Sequence, residues 1–131
     1  MITLEARGLT VAAHIARQPV EVLRNIDIAL APGRVLGLVG ESGAGKSMIG
    51  RAIAQNLPPG FAIDQGSLQF QGREMTTLSA GERLHLLGKD IAFIPQEPLT
   101  ALNPTLTVAQ QFDEHLARLG IRRSDRRGRI V

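Results

Sequence analysis

The sequence contains no cysteine, no tyrosine and no tryptophan, and its aromatic residues are four phenylalanines. Without cysteine there can be no disulfide and no thiolate-held zinc or iron–sulfur centre, a composition that suits a reducing compartment. A run of eighteen apolar residues is also lacking, as is a charged start leading into an apolar stretch. Neither a membrane-spanning helix nor a secretory signal is therefore expected. Acidic residues are fewer than basic ones, 12 against 15, and the excess is local. Residues 118–131 hold six arginines (Arg118, Arg122, Arg123, Arg126, Arg127 and Arg129) against Asp125 alone, which leaves the rest slightly acidic. A basic run can meet nucleic acid or acidic lipid. No aromatic ring is interleaved here to stack a base, so a solvated helix or linker is expected and nucleic acid is not an expected partner. What is present is 131 residues, 44% of them apolar, enough for one globular domain at most.

Residues 40–47 read Gly40-Glu41-Ser42-Gly43-Ala44-Gly45-Lys46-Ser47 and fill every position of the pattern G-x-x-x-x-G-K-[ST]. The apolar run Arg34 to Val39 before it reads as a buried strand, and Met48 to Asn56 after it is compatible with a helix. Strand, glycine loop and helix form the context a phosphate-binding loop requires. Many backbone N–H groups must converge on the oxygens of a triphosphate, and glycine lets the chain approach and turn without side chains in the way. The following helix adds unpaired N–H groups and the positive end of its dipole. Lys46 is suited to bridge β- and γ-phosphates, and the Ser47 hydroxyl to ligate Mg²⁺.

The remaining punctuation gives a coarse map. Ile2 to Arg7 and Asn25 to Ala31 alternate apolar and polar residues, which predicts paired antiparallel strands ahead of the turn Ala31-Pro32-Gly33. Leu57-Pro58-Pro59-Gly60 stops the loop helix, and Gly66 to Phe70 reads as a strand closed by Gln71-Gly72. Leu78 to Leu87 is a short helical pattern with Ser79 as N-cap and Gly88 as stop. A second buried strand is predicted at Ile91 to Ile94, ending at Pro95-Gln96-Glu97-Pro98 and leaving Gln96 at its carboxyl end, where open α/β sheets place ligands. The capping box Thr107-Val108-Ala109-Gln110 opens a helix that runs to about Leu119, with Val108, Phe112, Leu116 and Leu119 as one apolar stripe, read as a packing face.

Two motifs in this order, VGESGAGKS and then QEPLTALNP, resemble the ATP-binding subunit of ATP-binding-cassette transporters, and more narrowly the dipeptide, oligopeptide and nickel uptake branch. The likeness runs from Ile2 to about Gly120. It implies an α/β P-loop NTPase core with an amino-terminal antiparallel β layer, truncated before the signature and Walker B elements. Residues 1–104 would be the amino-terminal part of the nucleotide-binding domain and 105–131 the start of a helical subdomain. Gly40 to Ser47 would be the Walker A loop, with Lys46 catalytic. Gln96 would be the Q-loop glutamine, which touches Mg²⁺ and the attacking water. The implied cofactors are ATP and Mg²⁺. The implied partners are membrane-spanning permease subunits, a second ATPase subunit and, indirectly, a solute-binding protein. The implied location is the cytoplasmic face of the inner membrane, or the cytoplasm if the chain cannot assemble.

Two departures qualify the resemblance. The family stacks adenine on an aromatic side chain upstream of the loop, and here Arg17 falls near that position, with His14 or no residue as the other choices. After Pro104 there is no signature string, Walker B carboxylate or switch histidine; Leu78-Ser79-Ala80-Gly81-Glu82 resembles the signature but precedes Gln96, so it reads as an ordinary helix start. His85 and His115 read as helix-surface residues. The 131 residues are accordingly expected to bind ATP without hydrolysing it, and to be unstable alone because the strands at Leu36–Val39 and Ile91–Ile94 lack neighbours. The alternatives are another P-loop NTPase, or a non-catalytic basic fragment that binds nucleic acid or acidic lipid. The first is disfavoured by the lack of an N-K-x-D string and by the Q-loop string.

Overall fold

The computed structural model describes residues 2–15 and 17–130. The chain parts between Leu87 and Gly88 into two compact units. In the first, β1 (Leu4–Ala13) is a central strand, paired antiparallel with β2 (Val20–Leu30) on one side and β3 (Phe61–Phe70) on the other. With β4 (Arg73–Glu74) the order is β2-β1-β3-β4. Leu9, Thr10, Val11 and Ala12 are all buried. Four consecutive buried residues mean that both faces of β1 are covered at its centre, since side chains alternate. Leu68 and Met75 complete this core. Each large apolar side chain buried this way contributes about 1.5–3 kcal/mol.

Local chemistry accounts for the turns. The β3–β4 hairpin carries Gln71 at φ 51° and Gly72 at φ 80°. Two successive positive φ values are what a type I′ turn needs to match the twist of its strands. Beyond it, the Glu74 carboxylate accepts from Leu68 N–H and Thr76 N–H, both at 3.1 Å, and from the Thr76 hydroxyl at 2.6 Å. Burial alone would raise its pKa, but these bonds, led by the Thr76 hydroxyl, outweigh that and hold it below the usual glutamate range. The helix α2 (Ala80–Leu86) then opens with a full capping box between Ser79 and Glu82, and Arg73 pairs with Glu82 at 2.6 Å. The string Leu78 to Glu82 is thus a helix start.

The second unit holds a short 3₁₀ turn (Pro98–Ala101), α3 (Val108–Arg118) and α4 (Arg123–Ile130), with α3 packed on α4. Thr107 and Gln110 form the expected capping box. Arg126 turns inward, donating to the Ile121 carbonyl at 2.7 Å and reaching Asp113 at 3.3 Å. Arg122, Arg123, Arg127 and Arg129 stay exposed, so the basic run is a solvated helix.

Three expectations need correction. Neither Arg34–Val39 nor Ile91–Ile94 joins a sheet ladder among the described residues. Val35 and Val39 are 98% and 99% exposed. Apolar runs encode burial, but a strand also needs a neighbour to take its N–H and C=O groups, and the one described sheet offers none here. The β3 strand begins at Phe61 rather than Gly66, because Phe61, Ala62 and Ile63 pair with Ala13, Ala12 and Val11. The α3 stripe is not buried, since Val108 and Phe112 are more than half exposed.

Candidate functional site

The helix α1 (Lys46–Ile53) packs on β2 and buries Ile49 and Ala52. Its amphipathic spacing places these residues inward while Lys46 and Ser47 form the first turn. Gly45 is the N-cap, at φ 84° and ψ 4°, and offers no side-chain cap. The first-turn N–H groups of α1 are therefore met by no capping side chain and remain a set of donors at the positive end of the helix. An added Cβ at Gly45 would stand 2.5 Å from Leu23 Cδ2. Both the left-handed conformation and the close packing demand glycine at this position.

Residues 41–44 make a turn closed by Ala44 N–H donating to the Glu41 carbonyl at 3.2 Å. Lys46 Nζ donates to the carbonyls of Gly40 at 2.8 Å and Glu41 at 2.5 Å. The ammonium is thereby held at the mouth of the loop. Ser47 and Ser42 are exposed beside it, and a Cβ on Gly43 (φ 86°) would meet nothing within 4 Å. Residues 40–47 thus carry, within one short segment, an ammonium group, an exposed hydroxyl and the amino-terminal N–H groups of α1. This donor set fits an anion such as a phosphate chain, with the Ser47 oxygen free to face a cation that accompanies it.

The structure places Gln96 in the second unit, exposed, just ahead of the 3₁₀ turn, and residues 40–47 in the first. The downstream string is held by its own amides. Asn103 Oδ1 accepts from Thr105 N–H and hydroxyl at 2.9 and 2.7 Å, and Gln111 accepts from Asn103 N–H at 2.9 Å while donating to the Asn103 and Leu106 carbonyls at 3.2 Å. Asn103 and Gln111 therefore shape the turn that leads into α3. Of the two residues weighed for the base, His14 Nε2 lies 2.8 Å from Asp64 Oδ1, and Arg17 is exposed. His85 and His115 lie exposed on α2 and α3. Leu23 was not singled out by sequence; it follows Val22 directly and so falls out of phase with the Val20–Val22 alternation.

The ABC transporter family profile matches residues 23–130. Among curated proteins, the oligopeptide transport ATP-binding protein OppD of Bacillus subtilis (strain 168) is 36% identical over 115 residues, covering 86% of this chain and 32% of the relative. The dipeptide transport ATP-binding protein DppD of the same organism is 41% identical over 116 residues, covering 88% and 35%. The chain thus spans about a third of the length of these relatives. Among solved structures, the dimeric cassette MJ0796, described as a bacterial ABC transporter cassette, aligns with a TM-score of 0.79 at 20% identity, over 96% of this chain and 53% of that one. A post-hydrolysis dimer of the same cassette bound to ADP and Pi gives 0.76 at 18% identity, over 97% and 53%.

Proposed function

The chain belongs to the ABC transporter family, and from that premise we propose that it is the phosphate-binding portion of the ATP-binding subunit of an importer whose solute is a peptide or nickel. The names of the relatives favour peptides. In this reading Gly40, Glu41, Ser42, Gly43, Ala44 and Gly45 wrap the phosphates of ATP with backbone N–H groups. Lys46 neutralises charge between the β- and γ-phosphates, and Ser47 ligates Mg²⁺. Gln96, whose amide can accept from water and donate to an oxyanion, reports on the γ-phosphate and its Mg²⁺. ATP supplies the binding and hydrolysis energy that such importers couple to uptake.

The domain plan belongs to the same proposal, with residues 1–104 as the first part of the nucleotide-binding domain and 105–131 as the start of its helical subdomain. Its partners are permease subunits, a second ATPase subunit and, through the permease, a solute-binding protein. No helix of the described residues is long and apolar enough to cross a membrane, and the proposed place is peripheral, at the cytoplasmic face. The family match leaves little room for an unrelated P-loop enzyme, and three exposed arginines on a solvated helix, with Arg122 just before it, do not by themselves favour a nucleic-acid or lipid function.

The observation that carries the proposal is the left-handed Gly45 at the head of an uncapped α1 with the Lys46 ammonium beside it. Thermal melting with Mg-ATP tests it, and a cooperative transition that rises with Mg-ATP would also overturn the expectation that the 131 residues are unstable alone. A ligand at a hundred times its Kd stabilises the folded state by about 2.7 kcal/mol, so Mg-ATP should raise the Tm by several degrees, AMP should not, and Lys46→Ala should lose most of the shift. An equal shift in Lys46→Ala would remove residues 40–47 as the site.

A further inference from the structure

The close approach of Gly45 to Leu23 joins two parts of the fold that the phosphate-loop pattern does not connect. Leu23 is 3% exposed and lies on β2, opposite Val11 of β1. On either side of that pair the register shifts. Leu9 pairs with Ile26, Val11 with Leu23 and Ala12 with Glu21, so β2 carries an extra residue both before and after Leu23. A bulge bends its strand and turns side chains away from their regular direction. The irregularity between Leu23 and Ile26 is pinned at Asn25, whose φ is 49° and whose N–H donates to Thr10 Oγ1 at 3.2 Å. Thr10 is buried and Asn25 is exposed, so this part-buried bond ties the edge of β2 to the core. The Leu23 side chain ends where a Cβ on Gly45 would stand, and the Val22 carbonyl is 3.4 Å from the same point. The Gly45 carbonyl in turn accepts the Ile49 N–H at 3.0 Å, the first bond of α1.

We propose that Leu23 is a positioning residue for the phosphate loop: the twice-bulged β2 presents it as the seat on which Gly45 rests, so that the antiparallel layer sets where the first turn of α1 and the Lys46 ammonium stand. Leu23 touches no ligand in this scheme. Its contribution runs through Gly45, and a small displacement there moves every N–H that faces the anion. The link to nucleotide affinity rests on the phosphate-binding reading of residues 40–47, whereas the seating itself does not.

The test compares Leu23→Ala with Val11→Ala in the 131-residue chain. Val11 is equally buried and is Leu23's ladder partner, but its side chain is not among the atoms nearest the Gly45 Cβ position. Both changes open a core cavity. The expected result is that hydrogen exchange at Ile49 N–H accelerates at least about tenfold more in Leu23→Ala than in Val11→Ala. Mg-ATP affinity should fall by a further factor of about ten, the scale of one misaligned charge-assisted hydrogen bond. Leu23→Met, which keeps the volume, should restore both. If either alanine variant fails to fold, the pair Leu23→Met and Leu23→Val is read instead, with Val expected to accelerate Ile49 exchange and Met not. Equal effects of the Leu23 and Val11 changes, or no change at Ile49, would overturn the proposal. If the unaltered chain binds no Mg-ATP, the nucleotide reading fails by itself, and exchange at Ile49 still decides the role of Leu23.

Discussion

Three glycines allow the demands on Gly45 to be separated by experiment. At Gly37 the backbone is not in the left-handed region and a Cβ would meet nothing within 4 Å. At Gly33 the φ is 68° but the space is again empty, so alanine meets only conformational strain. At Gly45 the φ is 84° and the added carbon would stand 2.5 Å from Leu23 Cδ2, so alanine meets strain and collision together. Left-handed backbone costs a non-glycine residue about 1–2 kcal/mol, and overpacking a filled site costs about 1–3 kcal/mol more. Gly37→Ala should therefore be neutral or slightly stabilising, because it restricts the unfolded chain. Gly33→Ala should cost about 1 kcal/mol, and Gly45→Ala about 2–4 kcal/mol after partial relaxation of the Leu23 end. For 131 residues each kcal/mol is worth about 3–4 °C in Tm, so circular-dichroism melting should resolve the three variants in that order. A Gly45→Ala loss no larger than that of Gly33→Ala would show that the Leu23 contact exerts no force, and the geometric argument would fail.

Other consequences can be checked independently. Thr107→Ala removes the acceptor for Gln110 N–H and should cost about 1 kcal/mol, seen as faster amide exchange in the first turn of α3 and not in α2. The lowered pKa of Glu74 means that the unfolded chain takes up its proton first as the pH falls. Its contribution is thus complete above the ordinary glutamate value of about 4.3 and is lost as the pH drops through its lower folded value. Glu74→Gln should flatten the acid side of a Tm-against-pH curve, and an unchanged slope would refute the assignment. The 131-residue chain should release phosphate from ATP no faster than background, because among the described residues no carboxylate follows Gln96 at the end of a paired strand to orient water. Turnover that disappears in Lys46→Ala would contradict this.

What could be read from the sequence was local. Both capping boxes, at Ser79–Glu82 and Thr107–Gln110, form where a hydroxyl three residues before an acid or amide predicts them. The Gln71-Gly72 turn and the helix after Lys46 follow from equally short-range chemistry. What could not be read depends on partners distant in the chain. Phe61 to Ile63 carry too little alternation to announce a strand, yet β1 supplies a ladder for them. Arg34 to Val39 carries a strand's composition without a ladder. The register shifts on either side of Leu23 arise from a mismatch of residue counts between β1 and β2, which no window on one strand contains. Residues 40–47 carry the phosphate-loop pattern in full, whereas the side chain packed closest to Gly45 comes from Leu23, about twenty residues upstream.

That support is one-sided, and this bears on any experiment with Lys46. Downstream, the loop is anchored through Gly45 on Leu23 and through Ile49 and Ala52 on the sheet. Upstream, Val35 to Val39 joins no ladder among the described residues, and the ammonium of Lys46 ties to the Gly40 and Glu41 carbonyls at the entering end of the loop. An ammonium has three donors. Two serve the loop, which leaves one for a phosphate oxygen without breaking either tether. On the proposed phosphate-binding reading, Lys46→Ala removes both a phosphate contact and the tie to the Gly40 and Glu41 carbonyls, so its loss of affinity overstates the charge contribution. Lys46→Arg keeps the charge, but a planar fork cannot reproduce three diverging bonds at the same point. If both variants lose Mg-ATP equally, geometry dominates. If arginine retains most of the affinity, the charge dominates and the two carbonyl contacts are incidental.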